Sequence, residues 1–191
     1  KSGAGIGYEF STLRPRGAYV SGAGAHTSGP LSFMDIFDKM CFTISSAGGR
    51  RGAQMATFDV GHPDVFEFIE AKREDGRLRQ FNLSLLITDE FMQAVVNDKE
   101  WRTRNVKDGE VCETMRARDL MGRIAEATHF CGDPGMQFDT TINDWHTCPN
   151  SGRINASNPC SEYMHLDNSA CNLSSLNLMK FQATDGKFDV D

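Results

Sequence analysis

The chain has 191 residues, 39% hydrophobic and 24% charged, with a formal net charge of −6. That length suffices for one domain with a substantial core, and the acidic balance with scattered Lys and Arg argues against a nucleic-acid surface. No apolar run approaches the ~20 residues of a bilayer-spanning helix, so the chain is expected to have no membrane partner and to be cytoplasmic.

The first residue is Lys1, and the last ones, Lys187 to Asp191, stop without a terminal signal. The 191 residues are therefore expected to be one partial domain, an internal fragment of a larger protein. Cysteines stand at 41, 112, 131, 148, 160 and 171. None forms a CxxC pair or fits a zinc spacing, so no metal site is expected. Most read as small hydrophobes.

In chain order, Ser2 to Phe10 alternates small and larger residues and predicts a buried strand that something approaches closely. Its glycines do not fit GxGxxG. Ser21 to Pro30 reads as a loop. Phe33, Ile36, Phe37, Met40, Cys41 and Ile44 form one apolar stripe, predicting a core-facing helix over 33–44. Ser32 with Asp35 resembles a capping box. Gly48-Gly49 stops this helix, and a strand follows from Ala53 to Val60.

His62-Pro63-Asp64 opens a second helix to about Lys72. Phe81 to Ile87 reads as a strand, and Thr88 caps a helix carrying Phe91, Met92, Val95 and Val96. Residues 101–117 read as a polar surface connection. A further helix runs from about Asp119 to Phe130, ended by Gly132-Asp133-Pro134-Gly135. Strands alternating with helices give the class α/β.

The stretch Asn158-Pro159-Cys160-Ser161-Glu162 concentrates chemistry. Pro159 biases Asn158 toward extended backbone. In an extended segment Asn158, Cys160 and Glu162 share one face, with Pro159 and Ser161 on the other. A carboxylate raises a thiol pKa, so this trio does not favour a thiolate nucleophile. The thiol can instead lose a hydrogen atom while the glutamate takes a proton from a hydroxyl.

These residues, followed eleven positions on by Cys171 in Ser-Ala-Cys-Asn-Leu-Ser-Ser-Leu-Asn-Leu, resemble the active-site finger loop of ribonucleotide reductases. The likeness is greatest to the class II, adenosylcobalamin-dependent catalytic chain. Gly3-Ala-Gly-Ile-Gly7, Leu13-Arg-Pro-Arg-Gly17, His26-Thr-Ser-Gly29, Gly48-Gly-Arg-Arg-Gly52, His62-Pro-Asp64 and Gly132-Asp-Pro-Gly135 agree in order.

The resemblance implies part of a ten-stranded α/β barrel with the active cysteine on a finger loop. It implies radical-based reduction of ribonucleotides to 2′-deoxyribonucleotides. Cys160 would be the thiyl-radical residue, Glu162 the base for the 3′ hydroxyl, and Asn158 a hydrogen-bonding partner of substrate hydroxyls. Cys171 would be one of two redox thiols that cycle through a disulfide. Gly5, Asn158, Pro159, Cys160, Ser161 and Glu162 would line the ribonucleotide.

It also implies deoxynucleotide effectors acting allosterically on two loops, 21–30 and 45–54, with Arg14, Ser21, Gly22, His26, Gly49, Arg50 and Arg51 as contacts. The helix between them holds the loops ~18 Å apart, which agrees with a homodimer whose paired helices carry the effector site. Adenosylcobalamin would generate the radical, and an external dithiol such as a thioredoxin-like protein would renew the thiols. The partner of Cys171 would lie before Lys1. A phosphate-binding loop and a terminal cysteine pair would lie beyond Asp191, so the isolated chain is expected not to turn over.

Two alternatives stay open. One is a class I large chain fed by a separate radical-generating subunit; Pro159 and the short gap to Cys171 favour class II. The other is a non-catalytic nucleotide sensor with inert thiols.

Overall fold

The computed structural model describes residues 4–45, 52–73 and 76–189. Its centre is a four-stranded parallel sheet. β1 (Gly5–Glu9) pairs with β4 (Ala53–Asp59), β4 with β5 (Phe81–Ile87), and β5 with β8 (Gly135–Phe138). Between them lie α1 (Pro30–Ser45), α2 (Val65–Glu70), α3 (Asp89–Val96) and α4 (Ala117–Cys131), with α5 (Asp139–Asp144) after β8. Smaller antiparallel pairs are β2 (Tyr19–Val20) with β3 (Ala25–His26), β6 (Glu100–Arg104) with β7 (Val111–Arg116), and β9 (Ala156–Ser157) with β10 (Met164–His165).

The period-2 alternation of strands gives this sheet two unlike faces. Ala56 and Phe58 of β4, with Phe81, Leu83, Leu85 and Ile87 of β5, are buried in the hydrophobic core. Phe68 and Ile69 of α2, Phe91 of α3, and Leu120 and Ile124 of α4 pack into the same core. Each such side chain stabilises by roughly 1.5–3 kcal/mol relative to an exposed one. Among the intervening positions Thr57, Asn82, Ser84 and Gln137 are polar, while Met55 and Leu86 are apolar. Parallel sheets usually cover both faces with aliphatic side chains; here one face is reserved for something else.

Several elements match the sequence reading. β5 spans Phe81–Ile87, and the Thr88 hydroxyl accepts the Phe91 N–H at 3.2 Å to cap α3. Gly132, with φ 83°, terminates α4 in the left-handed conformation that glycine adopts without steric cost.

Others are corrected. Helix α1 begins at Pro30, whose fixed φ suits a first turn. No capping box forms there: the Ser32 hydroxyl bonds Gly29 O and Ser28 Oγ, and Asp35 pairs with Arg77. The core is reached from α1 through Leu31 and Met34, and Phe37 of the expected stripe packs against it, beside Tyr8 and Phe10. Phe33, Ile36, Met40 and Ile44 of the expected core stripe are 42–63% exposed. Periodicity finds an apolar stripe but does not say what covers it.

Segment 101–117 is largely a hairpin, with Thr103 buried, Trp101 half-buried and the arginines facing out. Its charged residues mask the alternation. Segment 21–30 contains β3 and the return of a second hairpin. β1 is a half-exposed edge strand rather than a buried one. β8 and α5 follow the Gly-Asp-Pro-Gly turn at once and were too short for their periodicity to register.

Candidate active site

The residues Ala156 to His165 form a hairpin lying across the polar face of the sheet. Its close seat depends on glycine. A Cβ at Gly5 would lie 2.6 Å from Pro159 Cγ, and one at Gly7 would lie 1.8 Å from Ser157 O. Both are closer than side-chain contacts permit, so β1 is bare where the hairpin crosses it. This is the close approach foreseen from the Gly-rich opening, although the neighbour is the chain itself.

Every strand of the sheet contributes to the seat. Thr57 of β4 donates its hydroxyl to Asn155 O at 2.9 Å. Asn82 of β5 donates its amide to Pro159 O at 2.7 Å. Gln137 of β8 donates to the hydroxyls of Ser157 at 2.8 Å and Ser161 at 3.2 Å. Polar groups buried this way cost free energy unless paired, and these are paired. None of the four seat-forming side chains, Thr57, Asn82, Gln137 and Ser157, was singled out from the sequence. The available signal was a polar residue interrupting an otherwise apolar strand.

The local backbone differs from the extended reading. Ser161 N donates to Asn158 O at 3.0 Å, closing a turn over Asn158–Ser161, and Asn158 N donates to Tyr163 O at 3.3 Å. Ser161 sits at φ 63°. A turn does not alternate its side chains, so the shared face of Asn158, Cys160 and Glu162 inferred from period two is overturned. Pro159 stands at the second position of this turn, where its fixed φ is favoured, and a bias of Asn158 toward extended backbone is compatible with a turn that begins there.

Asn158 Oδ1 accepts the Tyr163 N–H at 3.0 Å, so that end of the amide serves the turn. Pro159 is buried, whereas Cys160, Glu162 and Cys171 are exposed. Ser161 is half-buried. The structure brings together Gly5, Pro159, Asn158 and Ser161. Among the described residues no hydrogen bond joins Cys160 to Glu162 or Cys171, and no disulfide joins two cysteines. Tyr163 bridges the two cysteine segments weakly, with its hydroxyl 3.5 Å from Ser169 Oγ and Ala170 O. Beyond it, residues 167–189 are exposed throughout.

The expected effector contacts lie apart from this hairpin in the chain. Ser21, Gly22 and His26 are exposed on the β2–β3 hairpin, and Arg14 is half-buried. His26 Nδ1 lies 2.8 Å from Gly17 O. Gly49, Arg50 and Arg51 lie outside the described residues.

No described helix is long and apolar enough to cross a membrane. The chain is 44% identical to the vitamin B12-dependent ribonucleotide reductase of Rhodopirellula baltica over 99% of its own length and 21% of that protein's. It is 44% identical to the protein of that name from Streptomyces clavuligerus, over 100% of this chain and 23% of the relative. It is 43% identical to the vitamin B12-dependent ribonucleoside-diphosphate reductase of Mycobacterium tuberculosis H37Rv, over 100% of this chain and 27% of that one. The chain thus spans between a fifth and a third of these relatives. The family model described as the ribonucleotide reductase barrel domain matches residues 1–191. The parallel sheet, its crossing hairpin and this match agree: the chain belongs to the ribonucleotide reductase barrel-domain family.

Proposed function

We propose that the full-length protein reduces ribonucleotides to 2′-deoxyribonucleotides by thiyl-radical chemistry centred on Cys160. The observation that carries this reading is the anchored turn: a thiol at its apex, exposed, on a hairpin gripped by all four strands of a family-typical sheet. In the reaction, a Cys160 thiyl takes the 3′ hydrogen of the ribose. The Glu162 carboxylate accepts the 3′ hydroxyl proton. The 2′ hydroxyl leaves as water, taking a proton from a redox thiol. Cys171 and a second cysteine, which the resemblance places before Lys1, give two electrons and become a disulfide; the remaining thiol hydrogen goes to C2′, and Glu162 returns its proton to the 3′ oxygen. Cys160 then returns the 3′ hydrogen, and an external thioredoxin-like dithiol reduces the disulfide.

The residue here that suits adenosylcobalamin is Cys160, whose open thiol can be reached from outside the sheet. When bound, that cofactor supplies the radical chemistry, and the protein supplies position and shielding. Asn158 keeps its amide nitrogen for substrate hydroxyls, while Gly5, Pro159 and Ser161 shape the floor beneath the ribose.

The rest of the reading concerns assembly and control. The 191 residues form a single partial domain of the barrel, and the enzyme works in the cytoplasm. The exposed apolar face of α1, Phe33, Ile36, Met40 and Ile44, pairs two copies into a homodimer. Deoxynucleotide effectors bind beside it, at Arg14, Ser21, Gly22 and His26 and at Gly49, Arg50 and Arg51.

The test is turnover by the full-length gene product supplied with adenosylcobalamin, a dithiol and ribonucleoside di- and triphosphates. Deoxynucleotide should form, and Cys160→Ser should abolish it while nucleotide binding persists. Turnover that ignores adenosylcobalamin and needs a second subunit would transfer the reading to the class I arrangement. Turnover that survives Cys160→Ser would overturn it.

A further inference from the structure

Gln137 stands near the end of β8 and is 5% exposed. Its backbone pairs with Leu86 in the sheet, and its side-chain amide nitrogen meets two hydroxyls of the crossing hairpin. One N–H donates to Ser157 Oγ at 2.8 Å and the other to Ser161 Oγ at 3.2 Å. These are the two donors that a primary amide possesses.

The consequences spread through the turn. Having accepted from Gln137, the Ser157 hydroxyl donates onward to Asn158 O at 2.9 Å. That carbonyl also accepts the Ser161 N–H at 3.0 Å. A single buried amide therefore fixes the turn on both sides of Cys160. Ser161 lies at φ 63°, a region that residues with a Cβ rarely adopt. The bond from Gln137 to its hydroxyl holds it there. Cys160 makes no hydrogen bond of its own among the described residues, so its direction is set by the residues on either side.

From this geometry we infer that Gln137 is a positioning residue, which aims the Cys160 thiol through Ser157 and Ser161. The inference rests on Cys160 being the reacting thiol. Hydrogen-atom transfer between sulfur and carbon tolerates little displacement, so the loss should fall on the chemical step rather than on nucleotide binding. No side-chain hydrogen bond joins Gln137 to the Cys160 thiol; its amide meets Ser157 and Ser161.

The experiment uses the full-length gene product with adenosylcobalamin, dithiol and ribonucleotide, and compares wild type, Cys160→Ser, Gln137→Met and Ser157→Ala. Methionine matches the length of glutamine but donates nothing. Gln137→Met should lower kcat about tenfold or more while KM for the ribonucleotide changes by less than about twofold. Ser157→Ala should show the same split, and it carries the test alone if Gln137→Met does not fold. Normal kcat in the folded variants, with only a lower unfolding temperature, would reduce Gln137 to a structural residue and overturn the inference. An inactive wild type, or an active Cys160→Ser, would remove the reading beneath it, and the control tells that failure from the other.

Discussion

The carbonyl oxygen of Ser157 occupies the space that a side chain on Gly7 would need, 1.8 Å from an ideal Cβ. The edge strand and the cysteine-bearing hairpin are thus in backbone contact. A backbone carbonyl cannot swing aside as a side chain can. The glycine serves packing between two segments 150 positions apart in sequence.

Gly7→Ala is therefore expected to lift the hairpin from the sheet. Overpacking of this kind costs about 1–3 kcal/mol, and displacing Cys160 should cost turnover as well. Gly22→Ala is the control, because a Cβ there meets nothing within 4 Å. Thermal unfolding of the two full-length variants compares them directly. Equal midpoints would mean that the contact between Gly7 and Ser157 is not maintained in solution.

Leu85 is fully buried at the centre of β5. Leu85→Ala should destabilise the protein by about 2–5 kcal/mol, from lost burial and the cavity left behind. Val96 on α3 is 68% exposed, and Val96→Ala should shift stability by less than about 0.5 kcal/mol. Chemical denaturation separates the two, and a small loss at Leu85 would contradict its placement in the core.

His62 links stability to pH. It is buried, its Nε2–H donates to Leu13 O at 2.9 Å, and its Nδ1 accepts the Asp64 N–H at 3.0 Å. The bond accepted at Nδ1 requires the neutral ring, because an imidazolium donates at both nitrogens, and burial holds the pKa below the ordinary 6.5. The unfolded chain then binds the proton more readily than the folded one. Stability contributed by this group should fall as pH drops below about 6.5, until the folded imidazole also protonates. His62→Gln should flatten that part of the curve of unfolding temperature against pH. An unchanged slope would show that His62 is not the group responsible.

Ile36 is the most exposed of the apolar residues on α1, at 63%. If the α1 face pairs two copies, Ile36→Glu should convert a dimer to monomer by burying a charge at the contact. Sedimentation of the full-length protein with and without the substitution measures this. A variant that stays dimeric would move the interface elsewhere.

What the sequence determined by itself is what short-range physics controls. Phe81 to Ile87 is a short apolar run that ends at a helix cap, which suits a buried strand. Thr88 and Gly132 mark helix ends because a hydroxyl accepts a free N–H and a glycine tolerates positive φ. The motif Asn-Pro-Cys-Ser-Glu marked where to look. Only the tertiary structure decided that Phe33, Ile36, Met40 and Ile44 of α1 face solvent while Leu31, Met34 and Phe37 meet the core. It also decided that the backbone at Cys160 turns instead of extending. Where that turn sits is decided by Thr57, Asn82 and Gln137, brought together from three strands to bond the hairpin and the residue before it. No window of neighbouring residues contains that set.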